Sequence, residues 1–281
     1  MAIRTILVNL DNGKHTRARV AAAAALAIQH DAHLVGLAST GWVIAAADVD
    51  GSLGLGAYQA AAMRELRELA QGCAEDFHQQ VERLGVLSHE EHIELGYPAD
   101  TMPRAARYCD LTVMTQTDPD DDYVLRTPHL AQDVLLQSGR PLLALPYAGE
   151  WTVAPATRVL VGWNASREAA RAMQDAMPFL CKAASVEVVV FETPEDVDLE
   201  HGDVPGADIG LWLARHGVKV DVRYVATDVA AGEALLSHAA NMGADLIVAG
   251  GYGHSRFREV VLGGVTRTLL HSSPVPVLLS H

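Results

Sequence analysis

The chain states one pattern twice, and this limits it to a narrow set of folds. "CDLTVMTQ" at 109–116 resembles "ADLIVAGG" at 244–251, and "GRPLLALP" at 139–146 resembles "PVPVLLSH" at 274–281. Both pairs are 135 residues apart, so they align without a gap. The starts repeat as well: "TILVNLDNGKHTRARVAAAAA" at 5–25 answers "RVLVGWNASREAARAMQDAM" at 158–177, now 153 residues apart. Repetition over this length means two copies of one unit. The 18 surplus residues of the first copy are placed at 41–58, "GWVIAAADVDGSLGLGAY". The expected domains are 1–150 and 151–281, joined near the aperiodic "YAGEWTVAPAT" at 147–157.

Within each copy, short apolar runs alternate with helical spacing. In the second copy the pattern predicts strands at 158–163, 186–191, 219–225, 245–249 and 275–279, and helices at 166–182, 206–216, 231–242 and 258–272. A long helix is predicted at 57–84 of the first. The strands are continuous Val/Ile/Leu runs rather than alternating ones, as parallel strands covered on both faces require. Each copy therefore reads as an α/β unit, a doubly wound, mostly five-stranded parallel sheet with helices on both faces. Such sheets bind ligands beyond the carboxyl ends of their strands. The last strands, 141–146 and 275–279, are candidates for pairing the copies as an intramolecular pseudo-dimer; a further homodimer is compatible with the sequence.

Composition narrows the partners. A net charge of −14 disfavours nucleic acid and anionic lipid. No apolar run reaches the ~18 residues of a membrane span. Cys73, Cys109 and Cys181 form no C-x-x-C pair, and "MAIRTILVNLD" lacks an apolar leader, so a reducing, cytoplasmic setting is expected. The thirteen histidines include no H-E-x-x-H, and no nucleophile elbow is present, so neither a metal site nor a catalytic residue is expected. His89 and His92, three apart on a strand, face opposite sides, and the charges around them suit a protected edge.

The chemistry concentrates in 249–266, "AGGYGHSRFREVVLGGVT". Glycines after a buried strand allow positive φ and close approach of backbone N–H groups to an anion. Gly250, Gly251 and Gly253 form one cluster, Gly263 and Gly264 a second. His254, Ser255 and two arginines lie between them. Plain turn punctuation is the competing reading. There is no G-x-x-x-x-G-K-[ST].

Gly250-x-x-Gly253, nine residues, then Gly263 resembles the G-2x-G-9x-G-[S/T] signature of the universal stress protein family, and "ILVNLD", "DLIVAGGYGHS" and "LGGVTRTLLHSSPVPVLL" are similar to that family's blocks across both copies. The resemblance implies an adenine nucleotide alpha hydrolase-like fold, a role in stress response, and a site for ATP, ADP or AMP, with or without magnesium. Ala249, Gly250, Gly253, Gly263, Gly264, Val265 and Thr266 would line phosphate and ribose. His254 would donate to a phosphate beside Ser255, and Asn164 would stand where the family's base-contacting Asp stands. Gly264 replaces the usual Ser/Thr, and Thr266 is expected to supply the hydroxyl.

The gapless offset places "TQTDPDDDYVLRTPHLAQ" at 115–132 in the same loop of the first copy. Thr115 and Asp118 replace two glycines, Pro128 and His129 the other two, and Asp120, Asp121 and Asp122 crowd the place. Each carboxylate would repel a phosphate at ~4 Å by about 1 kcal/mol in water and about 4 at an effective dielectric of 20. One competent site, in the second copy, is expected. The acidic loop reads as solvated, with a divalent-cation site as the alternative. The functional readings are a nucleotide-responsive regulatory module with an unidentified protein partner, a slow ATP hydrolase using the same pocket, or a ligand-free scaffold.

Overall fold

A computed structural model describes residues 2–41, 55–121, 127–149, 156–192, 206–253 and 264–281. Its strands form a single ten-stranded sheet in the order β3-β2-β1-β4-β5-β10-β9-β6-β7-β8. The first half supplies β1 (Thr5–Leu10), β2 (His33–Ser39), β3 (His89–Glu94), β4 (Leu111–Thr115) and β5 (Leu142–Leu145). The second supplies β6 (Arg158–Gly162), β7 (Ser185–Glu192), β8 (Val220–Ala226), β9 (Leu246–Gly250) and β10 (Val277–Ser280). Among the described residues, every pairing between strands inside a half is parallel. The halves meet where β10 runs antiparallel to β5, with Leu278 opposite Leu143. The repeat is thus visible in three dimensions: β4 and β9, like β5 and β10, are 135 residues apart at both ends.

Helices cover both faces because the strands are apolar on both. One face carries α1 (Thr16–His30), α2 (Leu55–Leu84), α5 (Arg167–Leu180) and α6 (Ala207–Arg215). Their Val20, Phe77, Met173 and Leu213 pack with Ile6, Val161 and Leu278. The opposite face carries α3 (Pro98–Ala106), α4 (Leu130–Ser138), α7 (Ala231–Met242) and α8 (Gly264–Ser272). Here Met102, Leu135, Leu235 and Leu269 pack with Leu142, Ile247 and Leu279. In the Ala-rich α1 the small side chains Ala23, Ala24 and Ala27 are buried, which lets the helix lie close on the sheet. Gly243, at φ 64°, ends α7 in the left-handed conformation that glycine adopts without strain. The charged β3 is an outer strand, as its sequence suggested. The surplus segment expected at 41–58 lies mostly outside the described residues; its last four positions open α2. Among the described residues no helix is long and apolar enough to cross a membrane.

Candidate functional site

In the second half, the loops after β6 and β9 meet the first turns of α5 and α8. After β6, Asn164 accepts hydrogen bonds at Oδ1 from the Ser166 backbone N–H (3.2 Å) and hydroxyl (2.8 Å). Ala165 takes φ 57° between them. Ser166 then caps α5, its Oγ accepting from the Ala169 N–H at 3.1 Å. The Asn164 oxygen is engaged in the turn, and its amide N–H₂ is the group left to donate.

The glycines after β9 are explained by packing as well as by conformation. A Cβ on Gly250 would lie 2.5 Å from the Ala169 nitrogen, so the strand end abuts the start of α5. A Cβ on Gly253 would lie 2.8 Å from Glu168 Oε2 and 3.0 Å from Ser166 Oγ. Between them Tyr252 adopts φ 60°. Thr266, in the first turn of α8 and 2 % exposed, accepts the Tyr252 N–H at 3.0 Å. This contact ties the glycine loop to α8. Ala249 is buried in β9, and Gly264 and Val265 begin α8. His254, Ser255 and Gly263 lie outside the described residues.

One residue passed over in the sequence stands in the middle of this. Glu168 is 3 % exposed in the first turn of α5. Burial pushes its carboxyl up, but the hydrogen bond from Arg167 Nε and the helix backbone outweigh it and hold the group below its ordinary pKa. Nothing in an Arg-Glu pair at a helix start distinguishes it from a solvated pair; only the glycine beside it gives it a place.

Residues 155–281 match the family model described as the universal stress protein family. The C-terminal half is a universal stress protein domain. The whole chain is similar in fold to a universal stress protein from Archaeoglobus fulgidus DSM 4304, with TM-score 0.77 and 18% identity over 98% of this chain and 95% of that one. It is also similar to a functionally unknown protein from Pseudomonas aeruginosa PAO1, with TM-score 0.57 and 16% identity over 99% and 92%. The comparison with curated proteins returned no match.

Against this universal stress protein domain, the first half shows what has been exchanged. Asp11, at the end of β1, accepts from Arg19 Nη2 (2.5 Å), Asn9 Nδ2 (2.7 Å), the Gly13 N–H (2.9 Å) and the Thr16 hydroxyl. Arg19 is 4 % exposed and also donates to the Asn9 carbonyl (2.9 Å) and Thr115 Oγ1 (2.9 Å). Asp118 meets Lys14 Nζ at 2.7 Å and His15 Nε2 at 2.6 Å, and these contacts overcome burial to pull its pKa down to about 2. The acidic loop is thus not the solvated one expected: Asp118 and Asp121 are 3 % and 8 % exposed. What is left open between Asp11, Arg19 and Asp121 is about 40 Å³. Asp122 lies outside the described residues. In the repeat, Asp118 stands for Gly253 and His15 for Glu168. One half places a carboxylate from α5 against a glycine; the other places an imidazole from the corresponding turn against an aspartate.

Proposed function

We propose that the chain is a nucleotide-responsive regulatory module with one site, in the C-terminal half, for an adenine nucleotide. Ala249, Gly250, Gly253, Gly264 and Val265, with His254, Ser255 and Gly263, hold its phosphates and ribose, Thr266 fixes the loop that does so, and Asn164 faces the base. The observation that carries this reading is the contrast between equivalent loops. The second half keeps glycine at 250 and 253 against a capped helix start, with the Glu168 carboxylate beside Gly253 paired to Arg167, while Asp118, Lys14 and His15 fill the same place in the first. Bare N–H groups beside a helix N-terminus suit an anion; a pit already neutralised internally has none to offer. Because the Asn164 oxygen is engaged by Ser166, its amide donates to a ring nitrogen of the base. That feature discriminates poorly among ATP, ADP and AMP.

Equilibrium dialysis with labelled ATP and AMP tests this, with one bound nucleotide per chain expected. Gly253→Asp alone would press a carboxylate onto Glu168. The informative variant is therefore Gly253→Asp with Glu168→His, which imports the pair the first half already uses. It is expected to fold, by circular dichroism, and to lose at least tenfold in affinity. Unchanged binding in that folded double variant overturns the assignment. Mass spectrometry of the same samples separates a switch from a slow hydrolase: nucleotide recovered intact after hours supports the switch, and sustained release of ADP supports the enzyme.

A further inference from the structure

The seam between the halves holds a second hollow, larger than the pit in the first half. It is a cleft of about 230 Å³ between α4 and α8, reached by Thr117 after β4 and Tyr252 after β9. Its walls also carry His129, Gln132, Arg267 and His271. Thr117 and Tyr252, like Gln132 and Arg267, are 135 residues apart, so the cleft straddles the pseudo-twofold axis of the repeat. Two identical chains would line such a cleft symmetrically. Here a neutral amide on one wall faces a guanidinium on the other.

Among the described residues no acidic side chain lines the cleft beside Arg267, His129 and His271. Burial first, then Arg267 and His129, lower the pKa of His271, so its imidazole is neutral at neutral pH and is a hydrogen-bonding group beside the Arg267 guanidinium. Among the described residues none of the three makes an ion pair. Asp133, in the first turn of α4, is outside the lining though its charge is felt at Tyr252, and burial raises its pKa against the pull of His129. The remaining wall is apolar: Leu270 and the half-buried ring of Tyr252. In a molecule of net charge −14, a guanidinium with no ion pair among the described residues, set between two imidazoles in a cleft, is a recognition feature rather than an average one. The volume is below the roughly 300–1,000 Å³ of sites for drug-sized ligands, so the occupant is small.

We propose that this cleft binds a small organic anion, a phosphate or carboxylate on a compact apolar body, with Arg267 and the two histidines on the charge and Tyr252 and Leu270 on the body. The proposal stands apart from the nucleotide reading, although an occupant touching Tyr252 would also touch the glycine loop. Phenyl phosphate titrated calorimetrically into the full chain tests it. Saturable binding is expected. Arg267→Gln should weaken it at least tenfold, and Gln132→Trp, which fills the cleft without altering its charge, should abolish it. The folded Gly253→Asp/Glu168→His variant should bind phenyl phosphate within about twofold of the parent, whatever happens to nucleotide. Either of two results overturns the proposal: no saturation at millimolar phenyl phosphate, or loss of binding in the glycine-loop variant with retention in Gln132→Trp, which would place the anion at the other site.

Discussion

Asp110 and Asp245 hold the same post in the two halves. Each begins the apolar run of a fourth strand and reaches back to the start of the first. Asp110 Oδ2 accepts the N–H groups of Arg4 at 2.8 Å and Thr5 at 3.0 Å. Asp245 accepts those of Thr157 at 2.9 Å and Arg158 at 2.9 Å, and also the Thr157 hydroxyl. Hydrogen bonds to a charged acceptor contribute about 1.5–3 kcal/mol before exposure reduces them. Asp245→Ala is thus expected to cost about 2–3 kcal/mol and Asp110→Ala about 1–2, with urea denaturation reading the difference. The repeat showed the aspartate twice but not its purpose. An acid before an apolar run reads as solvated punctuation, and its partners lie 106 and 88 residues away. Glu168 and Arg19 were hidden for the same reason. A charged side chain at a helix start looks exposed until tertiary contact buries it.

At the scale of an element, the connection from β4 to α4 shows how a loop can be stiffened by charge. Asp118 accepts from Lys14, His15 and the Asp120 N–H at 2.9 Å, joining this loop to the one after β1. A carboxyl held down at about 2 supplies stability that is complete above its ordinary value of 3.8 and disappears as pH falls through about 2. Thermal melts between pH 5 and pH 2 should therefore steepen in that window. Asp118→Asn should lower the melting temperature at neutral pH and flatten the acid limb; an unchanged limb would show that Asp118 is not tied in the folded protein. Elements of this chain were legible to differing degrees. Strands such as β4 and β9 could be read from sequence because a buried parallel strand needs only an unbroken apolar run. The loops could not, because what closes them are pairs such as His15 with Asp118, 103 residues apart. The helix predicted over 258–272 is described from Gly264 onward, and 254–263 lie outside the described residues.

At the scale of the molecule, the seam is held by more than β5 and β10. Gln116, 2 % exposed, follows β4 and donates to the Leu269 carbonyl at 2.8 Å and the Ser273 carbonyl at 3.2 Å, closing the end of α8 across the pseudo-twofold. Leu135 of α4 fills the place where a side chain on Gly251 would go, with its Cδ2 2.7 Å from that position. Gln116→Leu leaves two carbonyls unmet and is expected to lower stability by about 1–3 kcal/mol while unfolding stays a single transition, since one sheet runs through both halves. Calorimetry showing two separated transitions in the parent would refute that continuity. Joining β5 to β10 also spends the chain's inner valence for strand addition. Among the described residues the two outer strands, β3 and β8, sit nine strand spacings apart, about 43 Å. One is studded with His89, Glu90, Glu91, His92 and Glu94; the other alternates Asp221 and Arg223 with Val222 and Tyr224. Any growth through backbone ladders would thus lengthen the molecule into a ribbon, rim to rim, rather than thicken it into a compact pair.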